Sequence, residues 1–379
     1  MAGPFRAEIA GGGICGLATA AALARAGWRV RVHERQSALR TIGAGLYIWE
    51  NGLRVLEVLG CYDAVIRDGH RGSVFEIRDC DGGIVDPGHL PPSMRVYTVP
   101  REWVLGGLRG AAVAAGAEIE VSSQAVGASE EGRLDLADGR RLEADLVIGA
   151  EGVRSRVRDS LGLLRVDDTT AEGSIRLIVP IRDDDFSDAD RGKYIEQWAG
   201  HRRLLITPIN RRETYLAFSA LDSDPGCRLP LDRDDWKAAF PMWSHLIDRV
   251  TDDMGHWDVY SIIKLKAWSV GHVAVIGDAA HAQPPNLGQG AGMAMQNALA
   301  LAHLLDGIRD RSEIPARLRA WEASERPIVE HCQKYSALYG EVIHMPEMLR
   351  RRAFAAGMND PWLSAQFFKP ALHHPTGCP

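Results

Sequence analysis

Residues 273–300 read VAVIGDAAHAQPPNLGQGAGMAMQNALA, and the rest of the 379-residue chain is organised around them. Val273, Val275 and Ile276 form a β-branched run that suits a buried strand. Gly277 and Asp278 end it and put a carboxylate at the strand's carboxyl end. Pro284, Pro285, Gly288 and Gly290 compress the following residues into a loop. From about Gln289 the pattern turns helical, with Met293, Met295, Ala298 and Leu301 among small residues. A glycine-rich helix start leaves backbone N–H groups unpaired, which suits an anion or an electron-accepting ring. An ordinary strand–helix turn has the same appearance on these residues alone. A second nucleotide signal, at the other end of the chain, separates the two readings.

That signal follows a strand over residues 6–10. Gly11-Gly12-Gly13-Ile14-Cys15-Gly16 is a G-x-G-x-x-G, and it opens an Ala- and Leu-rich helix over 17–26 that Gly27 closes. A second strand, 28–34, alternates Val30 and Val32 with charged residues and ends on Glu34, eighteen residues after Gly16. Strand, glycine turn, helix, strand and a terminal acid make up the dinucleotide fingerprint. Gly11 permits the tight turn, Gly13 lets backbone approach a pyrophosphate, and Gly16 permits close helix–strand packing. Glu34 is placed to accept the ribose hydroxyls of an adenosine, with Arg35 beside it.

Between the two ends, Gly43 and Gly45 mark a loop able to lie against a ligand, and Tyr47 and Trp49 alternate with apolar residues behind it. Their other reading is plain strand packing. Asp81-Gly82-Gly83 and Asp138-Gly139 read as hairpin turns. Arg101 precedes a helix over 102–115. Residues 144–152 form a buried strand that ends in Gly149-Ala150-Glu151-Gly152. Residues 171–220 contain several alternating stretches and predict an antiparallel sheet. Helices are expected over 231–250, from Ala316 and from Pro327, and the last residues carry no readable motif. The predicted fold class is α/β. A Rossmann-like dinucleotide-binding domain (1–72, 99–165 and 268–330) is interrupted by an antiparallel sheet domain (73–98 and 166–267). A C-terminal helical segment (331–379) follows.

Composition narrows the function classes. A net charge of −6 gives no support for a nucleic-acid partner. Six scattered cysteines form no C-x-x-C pair and no metal spacing, so no metal is expected, and a reduced compartment fits best. No apolar leader and no apolar run of about 18 residues is evident, so a cytoplasmic protein without membrane spans is expected.

The three ordered motifs, Gly11–Gly16, Asp145 to Gly152, and Gly277-Asp278-Ala279-Ala280-His281 with Pro285 and Gly288-Gln289-Gly290, resemble those of the single-component FAD-dependent aromatic hydroxylases, the para-hydroxybenzoate and salicylate hydroxylase family. The resemblance covers nearly the whole chain. Residues 10–13, 45–49, 51–57, 175–180 and 289–292 are most similar to the 2-methyl-3-hydroxypyridine-5-carboxylate oxygenase branch. It implies that the nucleotide domain is a Rossmann-like FAD-binding domain of the glutathione-reductase type, that the inserted sheet is substrate-binding, and that the protein uses a bound FAD, NADH or NADPH as transient co-substrate, and O2 as oxidant. It further implies that Arg101 contacts FAD, that Asp278 bonds the ribityl chain, and that the helix start at Gly290, Ala291 and Gly292 faces the flavin. Pro285 is implied beside the flavin ring. Ser155 and Arg158 match the middle motif by position, with a structural role an equal reading. Glu151 stands where the family usually has Asp.

The implied substrate is a small hydroxylated aromatic or N-heteroaromatic carboxylate, a 3-hydroxypyridine carboxylate first, with hydroxylation or ring opening both open. Hydroxylation or decarboxylative hydroxylation of a hydroxybenzoate or hydroxynicotinate is the alternative, and an FAD-binding protein without oxygenase activity is a second. Arg203 and Tyr215 match substrate-binding positions of the branch. Arg203 would grip a carboxylate in a bidentate fork, while Arg202 points to the opposite strand face. Tyr47 is placed in the same pocket, and His281 is either functional or a structural loop histidine. The oligomeric state stays open, from monomer to homo-oligomer.

Overall fold

The computed structural model describes residues 4–39, 44–88 and 90–379. Gly43 of the predicted glycine pair therefore lies outside the described residues.

A six-stranded sheet carries the nucleotide motifs. Its strands run in the spatial order Ser269–Val270, Val273–Val275, Leu146–Gly149, Arg6–Ala10, Arg29–His33, Glu118–Glu120, all parallel except the first pair. The three motifs, far apart in sequence, thus end adjacent strands at the same carboxyl edge. Helices cover both faces of its centre, where Ile9, Val32, Leu146, Ile148 and Val275 are all buried, while charged residues enter toward the Glu118–Glu120 edge. The helix Ile14–Arg25 packs on this sheet beside Gly290–Leu304, and its small residues Ala18, Ala21 and Ala22 allow the close approach. It starts three residues earlier than the pattern predicts, because Gly13 stays extended and serves as its N-cap. Gly27, at φ +87°, closes it with bonds from Gly27 N to Ala24 O and Trp28 N to Leu23 O.

The second large sheet has seven strands, in the order Trp257–Leu265, Leu164–Pro180, Glu213–Leu221, Arg202–Pro208, Tyr194–Ala199, Phe75–Arg78, Ile84–Asp86. It is antiparallel apart from the pair of Tyr194–Ala199 with Phe75–Arg78. Strict alternation gives it two unlike faces. Ile175, Leu177, Leu204, Ile206, Leu216 and Phe218 close one face against Trp236, Phe240 and Trp243. Ser174, Arg176, Glu196, Arg203, Tyr215 and Ser219 point from the other into a cavity. The helix predicted over 231–250 is broken at Pro241 into Arg233–Ala239, a 3-10 turn and Ser244–Ile247.

The two helices predicted from Ala316 and Pro327 are one helix, Ile314–Gly340. Pro327 is tolerated because it and Ala323, whose carbonyl loses its partner, both lie on the exposed face. Glu347–Asn359 and Pro361–Leu372 complete the chain. No helix among the described residues is long and apolar enough to cross a membrane.

Candidate active site

One cavity of about 1180 Å³ runs from the carboxyl edge of the parallel sheet to the polar face of the large sheet. Its first end is built from the glycine turn. A Cβ on Gly11 (φ +104°) would lie 2.4 Å from Ala150 O, and one on Gly16 would lie 1.9 Å from Gly11 O. Both glycines hold backbones in contact. Gly13 differs: a Cβ there meets nothing within 4 Å, because it opens onto the cavity. No side chain caps the helix that follows, so its first N–H groups face that space unpaired. Glu34 lies at the cavity wall and accepts from Gly12 N at 2.9 Å, and exposed Arg35 is beside it.

The other nucleotide-facing wall comes from residues 278–291. Asp278 opens its side chain to the cavity although protein surrounds it; that burial pushes its carboxyl up, against the pull of Arg101 and Arg176. Gly290 starts the helix Gly290–Leu304, also without a side-chain cap, and a Cβ on it meets nothing within 4 Å. Ala291, Pro285 and Arg101 line the same stretch. Gly292 sits one turn in, against Asn51, 3.2 Å from where its Cβ would be. Two polar atoms here, Trp49 Nε1 and Asn51 Oδ1, are buried without a partner among the described residues. Two uncapped helix starts, two Cβ-free openings and orphaned polar atoms make a cradle that fits a dinucleotide carrying a flat heteroaromatic ring.

Several motif residues serve the scaffold instead. Ser155 Oγ caps the helix Arg156–Ser160 and donates to Glu151 Oε2 at 2.6 Å. Glu151 Oε1 accepts from Val157 N at 3.0 Å, so the extra methylene relative to Asp folds the carboxylate onto that helix start. Arg158 is buried and donates to Val153 O and to Ala279 O, tying the middle motif to the last one. His281 Nε2 bonds Asn297 Nδ2 at 2.9 Å, and its ring packs 5.1 Å from that of Trp268. Burial lowers its pKa to about 4.

The substrate candidates meet at the far end of the cavity. The Tyr47 hydroxyl bonds Thr207 Oγ1, and its ring stands edge-on to Tyr215 at 6.5 Å. Burial raises both phenols, Tyr215 to about 12, so both keep their protons. Arg203 is buried, only 3% exposed. Its Nη2 donates to Glu172 Oε1 at 2.6 Å and to Asn286 Oδ1 at 2.8 Å, and its guanidinium lies 5.2 Å from the Trp198 ring centroid. Arg202 takes the opposite face, as the alternation predicts, and pairs with Asp224 and Asp235. The sequence reading missed Glu172, Glu196 and Asn286, since isolated acids and amides on strands and loops carry no spacing signal. It also missed the tail: Leu363, Phe367, Phe368 and Ala371 of Pro361–Leu372 line the cavity, and only their helical spacing hinted at a buried face.

Comparison with known proteins accords with this site. The FAD binding domain family matches residues 6–334. A putative 2-heptyl-3-hydroxy-4(1H)-quinolone synthase of Rhodococcus erythropolis is 36% identical over 98% of this chain and 97% of its own. The 2-heptyl-3-hydroxy-4(1H)-quinolone synthase of Mycobacteroides abscessus is 38% identical, covering 91% and 92%. The tetrameric form of 2-methyl-3-hydroxypyridine-5-carboxylic acid oxygenase superposes with a TM-score of 0.88 at 37% identity, covering 98% and 97%. The nucleotide cradle, the cavity that joins it to a polar sheet face, and these whole-length likenesses show one thing: the chain is an FAD-dependent monooxygenase and belongs to the aromatic hydroxylase family.

Proposed function

We propose that this flavoenzyme uses NADH or NADPH and O2 to oxygenate an N-heteroaromatic ring that bears an uncharged, apolar substituent, of the alkyl-4-quinolone kind. The observation that carries this reading is the state of Arg203. Its guanidinium already has a buried carboxylate, Glu172, at 2.6 Å and a second, Glu196, at 4.0 Å. A substrate carboxylate arriving there would meet like charge. The wall beyond is apolar, formed by Leu363, Phe367 and Phe368 with Leu205 and Ile77, and suits an alkyl chain. The quinolone relatives support the same class. A 3-hydroxypyridine carboxylate is the second reading, favoured by the whole-length likeness to the pyridine carboxylate oxygenase.

In this reading Gly11, Gly13, Gly16, Glu34 and Arg35 hold the adenosine diphosphate of FAD. Arg101, Asp278, Pro285 and the helix start at Gly290, Ala291 and Gly292 would hold its flavin end. FAD bound there would supply the redox chemistry that couples NADH or NADPH to O2. The protein's own residues orient and shield. Tyr47 and Tyr215, held protonated, donate hydrogen bonds to a ring oxygen and fix the face presented for attack. Phe367 and Phe368 keep water out.

The test is a panel of 2-alkyl-4-quinolones, hydroxypyridine carboxylates and hydroxybenzoates, scored by ligand-dependent NAD(P)H and O2 consumption with product masses. Stimulation by the quinolones, with one oxygen added and the ring absorbance kept, is the expected result. Stimulation by the carboxylates alone overturns the reading; two added oxygens with loss of ring absorbance would then identify ring opening.

A further inference from the structure

Glu196 is 2% exposed and lines the cavity from the strand Tyr194–Ala199. One carboxylate oxygen is fully engaged: Oε1 accepts from Trp198 Nε1 and from the Tyr339 hydroxyl, each at 2.7 Å. The other is not. Oε2 sits 4.0 Å from Arg203 Nη1, beyond hydrogen-bond distance, and accepts from no donor among the described residues. Its cross-strand neighbours are Leu205 and Ile77, both cavity-lining and apolar. A carboxylate oxygen therefore ends between Arg203 and an apolar wall, open to the cavity by only a small area and without a protein donor among the described residues. Such an acceptor gains more from a ligand N–H than a solvated one does, and it strongly disfavours a ligand that brings an oxygen there.

Position adds to this. Arg203, the neighbour of Glu196, also donates to Asn286, which follows Pro285 in the loop beside the nucleotide cradle. Glu196 therefore belongs to the polar cluster that adjoins the reacting end of the cavity.

We propose that Glu196 determines which ring is accepted: its Oε2 takes the ring N–H of a vinylogous-amide heteroaromatic of the 4-quinolone kind, and together with Glu172 it keeps carboxylates away from Arg203. The inference rests on the N-heteroaromatic reading above and adds the residue, the atom and the ligand group.

The experiment uses the full-length, FAD-loaded, oxidised protein without reductant. Binding is read from perturbation of the flavin absorbance band. Three probes suffice: a 2-alkyl-4-quinolone, the matching 2-alkylchromone in which ring oxygen replaces N–H without added bulk, and a hydroxypyridine carboxylate. The quinolone should bind wild-type protein about ten- to a hundred-fold more tightly than the chromone, the range for a hydrogen bond to a charged acceptor. In Glu196→Gln the amide can still accept from Trp198 and Tyr339 while presenting N–H to the cavity. The quinolone-to-chromone ratio should fall to near one or invert, and the carboxylate should bind more tightly. Equal binding of quinolone and chromone to wild-type protein overturns the role of Glu196 and leaves the substrate reading intact, and that comparison needs no variant. A ratio that persists unchanged in FAD-loaded Glu196→Gln also overturns it. Binding of the carboxylate with neither bicyclic ligand overturns the substrate reading and this inference with it.

Discussion

Arg203 Nη2 and Glu172 Oε1 lie 2.6 Å apart, on side chains only 4% and 5% exposed, so this ion pair is internal to the protein and not a solvent-facing anchor. Burial pushes the Glu172 carboxyl up, and the guanidinium opposes that shift. Removing one partner of such a pair leaves a bare buried charge.

Arg203→Ala should therefore destabilise the fold by about 3–5 kcal/mol, through Glu172 and Glu196 left uncompensated. Arg203→Lys should recover part of that, keeping charge but losing the planar fork. Denaturant melts of the FAD-loaded variants check this. Weakened ligand binding with an unchanged melting curve would return Arg203 to the role of a substrate anchor.

Gly13 and Gly16 should fail in different ways. Gly13→Val places its side chain in open cavity, so the apo fold should melt as wild type while the flavin-to-protein absorbance ratio falls to a small fraction. Gly16→Ala puts a Cβ 1.9 Å from Gly11 O and should cost roughly 1–3 kcal/mol of stability even without FAD. Full FAD content in Gly13→Val would remove the pyrophosphate from that turn. The flavin released from wild-type protein should be FAD, not FMN.

His281 gives the protein an acid limit. Folding lowers its pKa from 6.5 to about 4 by burial. The unfolded chain then binds the extra proton at the higher pH. Stability from this residue is full above about pH 6.5 and is lost as pH falls toward 4, with a total of about 3 kcal/mol by linkage. Melting of wild type and His281→Gln at pH 7 and pH 5 should show a smaller acid loss in the variant. Equal losses in both would assign the acid limit to other groups.

Glu151→Asp should restore the residue usual in the family yet weaken this protein. The shorter side chain cannot hold both Ser155 Oγ and Val157 N at their present positions. A loss of about 1 kcal/mol, typical of a helix-start contact, is expected, with FAD content unchanged. A gain in stability would show that the methylene is not used in this way.

The nucleotide half of the protein was legible in the chain because its constraints are local. A turn that needs φ near +104° at Gly11, a backbone contact that only Gly16 permits and an acid ending the second strand are each written in single residues at fixed spacing. Period-two alternation likewise put Arg202 and Arg203 on opposite faces without any coordinates. What alternation cannot say is which side chain of a distant strand faces Arg203. Glu172 is thirty-one residues away and Asn286 eighty-three. Both reach it through sheet pairing and a loop that packs against the helix Ile314–Gly340. The same holds for the tail, whose Phe367 and Phe368 gain meaning only once that helix brings them to the cavity. Charge compensation and apolar lining are sums over neighbours from separate segments, so the nucleotide fingerprint was a property of the sequence, and the arrangement of charge and apolar surface at the far end of the cavity was decided only when the chain folded.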